Sequence, residues 1–291
     1  MVDLQLRELT HAFGTEITGL DPAAALHDPA VQRELQRLFD SRGVLVFRDI
    51  DIDQNQQADI IRMLIGLGPL APGESPIGKA DGESFYVSNK EANGGAPFGR
   101  LLFHADMMWS EHTFRVLSLY GIAVEQPATP TIFTSATHAW ATMPEDLRAE
   151  AGGLSAVQGH EEMSRAAEDP DVLVSTFHDL PTRTTPVGLT HPRTGDTVLY
   201  VSQQMTQAID SLPADESEAL LLRLFDHLYR DEVLYSHDWR EHDLVAWDNI
   251  AVQHARPNVA LEGPTRTLRK VFAPVPPKSA KPTRPTFATA G

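Results

Sequence analysis

The chain has 291 residues, a formal net charge of −16, 12 histidines and no cysteine. Its length and 42% hydrophobic content allow a large buried core, and its acidic balance repels phosphate backbones and argues against nucleic acid as a partner. The missing thiol excludes disulfides, thiolate metal sites and cysteine nucleophiles, so any metal must be held by His, Asp or Glu, a set that suits Fe(II) as well as Zn(II) or Mn(II).

Met1 to Thr15 carries Asp3, Arg7 and Glu8 without an apolar stretch, and no run of apolar residues is long enough to span a bilayer. A cytoplasmic protein that does not engage membranes is expected. Asp28-Pro29 predicts a helix start, a capping carboxylate followed by proline at the first helical position. Val31, Leu35, Leu38 and Phe39 continue it at helical spacing to a stop at Gly43. Val44 to Phe47 is then a buried strand, Gln54 to Ile65 a second helix, and Ser84 to Ser88 another strand. A loop at 90–102 leads into Leu101. Strands follow at Arg115 to Val124 and Thr131 to Ser135, and 142–183 mixes short helices and loops. The turn His191 to Gly195 enters a strand at Thr197 to Val201. Ala214 to Tyr229 is the clearest helix, its apolar stripe Leu220, Leu221, Leu224, Phe225 and Leu228. Strands return at Leu244 to Trp247 and Arg266 to Phe272. This pattern predicts one domain over 1–273, mainly β with flanking helices, and a disordered, proline-rich tail over 274–291.

Two His-x-carboxylate pairs stand out, His104-Ala105-Asp106 and His160-Glu161-Glu162. Alternate residues of a strand point the same way, so such a pair can offer two ligands on one side of a metal. With 12 His and 40 acidic residues, roughly 1.6 such pairs arise by chance, so context must choose. His104 and Asp106 interrupt the apolar run Leu101 to Trp109, where burying ionisable groups is costly unless something coordinates them. His160 sits among Ser, Arg, Ala and Glu, like an exposed helix start. A third ligand can come from His254, which follows Trp247-Asp248-Asn249: a strand, a turn, and a short second strand ending in His, read as a hairpin. Arg266 lies twelve residues further on, and its planar fork suits a carboxylate.

The chain resembles the taurine dioxygenase (TauD/TfdA) family of Fe(II)/2-oxoglutarate oxygenases. The resemblance rests on FHAD at 103–106, TIFTS at 131–135, THPRTGDTVLYV at 190–201, ESEALLLRLFDHL at 216–228, DLVAWDNIAVQHA at 243–255 and TRTLRKV at 265–271. These run in the family's order from about residue 100 to 272, with the N-terminal part fitting more loosely. The resemblance implies a double-stranded β-helix (jelly-roll, cupin-like) core. It implies iron ligation by His104, Asp106 and His254, binding of the distal 2-oxoglutarate carboxylate by Arg266 with Thr131 beside it, and consumption of O2 with release of succinate and CO2. Trp247, Asp248, Asn249 and the His191-Pro192 turn are expected to be structural. The carboxylate of Asp106, which related halogenases lack, implies hydroxylation of a C–H bond.

For the small-molecule substrate, alternation from Arg266 places Leu268 and Lys270 inward, and Thr267 and Arg269 outward, with Arg269 solvated. Lys270 is a candidate contact for a substrate anion, or else the ion-pair partner of a neighbouring acid. Tyr86, Trp109, Phe85, Met107 and Met108 are candidate pocket-wall residues, or plain core, and Arg100 is a candidate polar contact. His237, Asp238, His242 and Asp243 read as a solvated turn. Two other functions stay open: a zinc hydrolase on the same His/Asp/His set, which leaves Arg266 and Thr131 without a role, and a non-catalytic jelly-roll binding module. The resemblance is compatible with a homo-oligomer.

Overall fold

The computed structural model describes residues 4–69, 72, 85–159, 175–176, 182–275 and 286–287. Strands β1 (Gln5–Glu8) and β2 (Thr15–Thr18) form an antiparallel pair ahead of the short helix α1 (Pro22–His27). Helix α2 (Pro29–Arg42) begins where expected: the Asp28 carboxylate accepts from the Ala30 amide at 2.8 Å, satisfying one of the free N–H groups of the first turn. It buries Val31, Leu35, Leu38 and Phe39 and stops at Gly43, whose φ of 70° is left-handed. A Cβ at Gly43 would also lie 2.9 Å from Val252 Cγ2. Gly43→Ala is therefore expected to lower stability by about 1–2 kcal/mol, the order of the left-handed penalty. An unchanged thermal unfolding midpoint would contradict this.

Next come β3 (Val44–Phe47), fully buried, and α3 (Gln54–Leu64), which starts with a capping box between Asp53 and Gln56. Strands β4 (Phe85–Ser88), β5 (Gly99–His104), β6 (Val116–Val124) and β7 (Thr131–Ser135) precede helices α4 (Ala136–Thr142) and α5 (Glu145–Ala151). The middle of the chain supplies β8 (Ser155–Gln158), β9 (Ser175–Thr176), β10 (Arg183–Pro186), β11 (Gly188–Thr190), β12 (Thr197–Leu199) and β13 (Thr206–Ile209). Helix α6 (Ala214–Leu228) buries its five predicted apolar residues and is followed by β14 (Tyr235–His237), β15 (Leu244–Asp248), β16 (Val252–Val259) and β17 (Arg266–Ala273). In the tail, β18 (Thr286–Phe287) pairs antiparallel with β9.

Two sheets make the framework, a seven-stranded one in the order β1-β2-β3-β15-β6-β17-β4 and a four-stranded one in the order β14-β7-β16-β5. They face each other across one apolar cluster, in which Phe133 and Val252 of the smaller sheet meet Val44, Leu117, Val245 and Leu268 of the larger. The larger sheet's other face is covered by helices, with Leu35, Phe39, Ile60 and Ile61 packed against Leu45, Tyr120 and Val271. This is the expected jelly-roll core with flanking helices. Among the described residues no helix is long and apolar enough to cross a membrane.

Two expectations need correction. The Trp247 to His254 segment is not a hairpin: β15 pairs with β3 and β6, while β16 pairs with β7 and β5. The Asp248 carboxylate accepts from the Ile250 and Ala251 amides at 2.9 and 3.1 Å, and this turn carries the chain from one sheet to the other. His254 consequently sits mid-strand, and β16 runs on to Val259. Arg269 does face away from the sheet interface, but it is not solvated. It lies beneath α3, donating to Gln57 Oε1 at 2.7 Å and to the Ile52 carbonyl at 2.9 Å, with its guanidinium 4.6 Å from the Tyr120 ring centroid. Outward on this sheet means towards the helical layer.

Candidate metal and co-substrate site

His104 closes β5 and His254 lies opposite it on β16, where the two are register partners. Their ring centroids are 4.2 Å apart. Asp106 follows two residues after His104, and one ligand atom from each of the three side chains lies within 4.8 Å of the others. Among the described residues this is the one group of three or more His, Cys, Asp or Glu side chains so disposed.

The hydrogen bonds say what this cluster lacks. His104 Nδ1 is 2.7 Å from the Leu102 carbonyl, which can only accept, so Nδ1 carries the proton. Nε2 then presents a lone pair to Asp106 Oδ1 at 3.2 Å. Two acceptors face each other, and a cation belongs between them. His254 Nδ1 is buried without a hydrogen-bond partner. Burial first, and then the neighbouring His104, hold the His254 imidazole well below its usual pKa, in the neutral form that ligates metals. Burial opposes charge on Asp106, but the Lys270 ammonium beside it outweighs burial and holds the carboxyl well below the carboxylate range. The donor set fits a divalent metal.

Asp106 is held by Asn249. The Asp106 amide donates to Asn249 Oδ1 at 2.9 Å, while Asn249 Nδ2 donates to the carbonyls of Asp106 and Phe114 at 2.9 and 3.1 Å. The neighbouring Asp248 accepts from His191 Nε2 at 3.1 Å and pairs with Arg193, so the 191–193 turn braces the crossover. Both segments were expected to be structural; the link from Asn249 to the Asp106 backbone was not legible, because it joins positions 143 residues apart. Asn249→Ala should weaken Mn(II) binding by about 10- to 100-fold, the range for groups that orient metal ligands. Calorimetric titration showing wild-type affinity would rule this role out.

Arg266 is 3% exposed. Its Nε donates to the Thr129 carbonyl at 2.9 Å and its Nη2 to Thr131 Oγ1 at 3.0 Å, while Trp239 Nε1 donates to the same hydroxyl at 2.9 Å. Its Nη1 takes part in none of these bonds. Burial, and then the charge of Arg256, hold the guanidinium well below its ordinary pKa. Arg266 and Thr131 therefore form a buried cationic corner, the neighbours that the resemblance implied, and Trp239, which the sequence did not single out, is its third member.

Lys270 projects to the same side and pairs with Asp106 Oδ2, settling which neighbouring acid it meets. Its ammonium is 5.9 Å from the centroid of Phe85, its register partner on β4. Tyr86 is placed differently from its expected role: it is the register partner of Arg269, and directly opposed residues share a face, so it points away from the metal cluster. Trp109, Met107 and Met108 are buried in the apolar cluster between the sheets. Arg100 lies partly buried on β5, but a register shift between Leu101 and His104 breaks the alternation that would relate it to the ligand.

The 237–243 segment also departs from expectation. Asp238 and His242 are exposed, but His237 and Asp243 are buried and 3.3 Å apart. Arg48 reaches Asp243 Oδ2 at 2.5 Å and supplies the countercharge from a remote part of the chain. His160 to Glu162 lies outside the described residues.

Residues 5–272 match the family described as "Taurine catabolism dioxygenase TauD, TfdA family". The chain is 28% identical over 257 residues to the alpha-ketoglutarate-dependent 2,4-dichlorophenoxyacetate dioxygenase of Cupriavidus pinatubonensis, covering 83% of this chain and 88% of that one. Its fold is shared with a taurine dioxygenase from Burkholderia xenovorans (TM-score 0.73, 21% identity, 99% of this chain and 97% of that chain). It is shared equally with AAD-2 in complex with Mn(II) and N-oxalylglycine (TM-score 0.72, 24% identity, 97% and 99%). With nearly its whole length matched, the chain belongs to the TauD/TfdA family of Fe(II)- and 2-oxoglutarate-dependent dioxygenases.

Proposed function

We propose that this dioxygenase hydroxylates a C–H bond of a small anionic molecule, with His104, Asp106 and His254 holding Fe(II) and Arg266 with Thr131 holding the distal carboxylate of 2-oxoglutarate. The observation that carries the reading is the convergence of three metal-ligand atoms within 4.8 Å, in the same inter-sheet space that receives Arg266. When bound, Fe(II) supplies oxidation by O2 coupled to decarboxylation of 2-oxoglutarate to succinate. The chain's own residues do the rest. Leu102 fixes the tautomer of His104, Asn249 fixes the backbone of Asp106, and the buried rings of Trp247 and Phe133, with centroids 4.8 and 6.3 Å from that of His254, shield it from water.

Lys270 supports an anionic substrate. It brings a positive charge to the metal side of β17 with the Phe85 ring beside it, a pairing that suits an acid attached to an apolar body. The Cupriavidus relative is named for such a molecule, a phenoxyacetate. The test is a screen of carboxylates, sulfonates and amino-acid derivatives, each beside its neutral amide, for succinate release triggered by the compound. Acids are expected to trigger release and their amides to fail, with the preference lost in Lys270→Met. Equal triggering by neutral analogues would refute the anionic reading and leave the dioxygenase class untouched.

A further inference from the structure

Arg256 sits two residues after His254 on β16, so the two side chains share a face. On the other side of that strand, β16 pairs with β7 through His254↔Phe133 and Ala255↔Ile132. Continuing this register by one pair sets Arg256 opposite Thr131, and facing residues of an antiparallel pair have Cβ atoms about 4.5–5.5 Å apart. Thr131 is the residue whose hydroxyl accepts from Arg266. The topology thus roots a second arginine beside Thr131, near enough for its charge to act on Arg266.

The surroundings of Arg256 are unusual for a charged group. It is 3% exposed, and its Nη1 donates to the Ala96 carbonyl at 2.7 Å. Its Nη2 donates to the carbonyls of Phe98 and Gly99, both at 2.8 Å. These bonds use three of the five N–H donors of the fork. Nε is buried with no hydrogen-bond partner. Among the described residues neither Arg256 nor Arg266 forms an ion pair with a carboxylate, whereas the partly buried arginines Arg48 and Arg193 have Asp243 and Asp248. Burial pulls Arg256 down to about 10, and its charge adds to burial in depressing Arg266. Two cations that repel each other in a dry corner, with donors to spare, are arranged for an anion that enters from outside.

We propose that Arg256 is a second guanidinium of the 2-oxoglutarate cradle, recognising the distal carboxylate together with Arg266 and Thr131. The proposal rests on the assignment of Arg266 to that carboxylate. Arg256 also fastens residues 96–99, the lead into the His104 strand, so the test must separate an anion contact from a staple.

Mn(II)-loaded protein would be titrated calorimetrically with N-oxalylglycine, which carries the distal carboxylate, and with pyruvate, which chelates through the same oxo-acid end but lacks it. Arg256→Met is expected to weaken N-oxalylglycine about 10- to 100-fold, the range for a hydrogen bond to a charged group, and to change pyruvate binding by less than about threefold. Unchanged N-oxalylglycine affinity with only a lower unfolding temperature would make Arg256 a staple and overturn the proposal. Equal weakening of both ligands would place the defect at the metal end and overturn it as well. Should the methionine variant not fold, Arg256→Lys keeps the charge but loses the fork. It is expected to weaken N-oxalylglycine severalfold and leave pyruvate unchanged, and wild-type affinity for both would count against Arg256. The two assignments fail separately: an Arg266→Met variant that binds N-oxalylglycine like the wild type removes Arg266 from the cradle whatever Arg256 does.

Discussion

Asp106→Ala is expected to reduce substrate-triggered succinate formation to background and to abolish tight Fe(II) or Mn(II) binding; His104→Ala should do the same. Asp106 supplies the negative charge of the cluster, and it faces the lone pair of His104 across 3.2 Å. Without it, two imidazoles with no negative charge between them remain beside the Lys270 ammonium, which repels a cation. The aspartate variant has a second consequence. Lys270 is left partly buried without its partner, and stability falls by less than the about 3–5 kcal/mol that breaking a fully buried pair costs. The fall in stability must therefore be measured alongside metal binding, and His104→Ala, which leaves the Lys270–Asp106 pair intact, separates the two effects. Full turnover in either variant would mean that the metal is held elsewhere.

Arg266→Ala is expected to raise the 2-oxoglutarate requirement by roughly 30- to 1000-fold, the consequence of removing one partner from a buried, hydrogen-bonded charge pair worth about 2–4 kcal/mol. Maximal turnover at saturating co-substrate should fall much less, because the oxo-acid end is bound by the metal. Thr131→Val removes the acceptor shared by Arg266 and Trp239 and should produce a smaller shift in the same direction. Steady-state titration of 2-oxoglutarate checks both. An unchanged requirement in Arg266→Ala would end its assignment to the co-substrate.

The elements that depend on neighbours in the chain were legible in advance. Asp28, Pro29 and Gly43 bound a helix through capping and left-handed geometry, which involve only a few adjacent residues. Alternation along 266–272 correctly put Arg266, Leu268 and Lys270 on one face and Arg269 on the other, because period two is a property of any strand. It could not say what lay on either face. Arg269 was expected in water because nothing local reveals that α3 covers that side of the sheet. Tyr86 failed as a pocket residue for a related reason: its face depends on its pairing with β17, about 180 residues away.

The composition and order of motifs therefore determined the class of this protein: a chain without thiols, with a His-x-Asp pair in an apolar run, a distant His and an Arg twelve residues beyond it. Tertiary structure alone decided the partners. The Asp248–Asn249 turn proved to be a crossover between sheets, where Asp248 caps the turn locally and Asn249 grips the Asp106 backbone across 143 residues. Lys270 meets Asp106 and Arg256 is rooted beside Thr131 for the same reason. Hydrogen bonding and Coulomb interaction act over a few ångströms of space, and only the packing of the two sheets against each other brings such remote positions within that range.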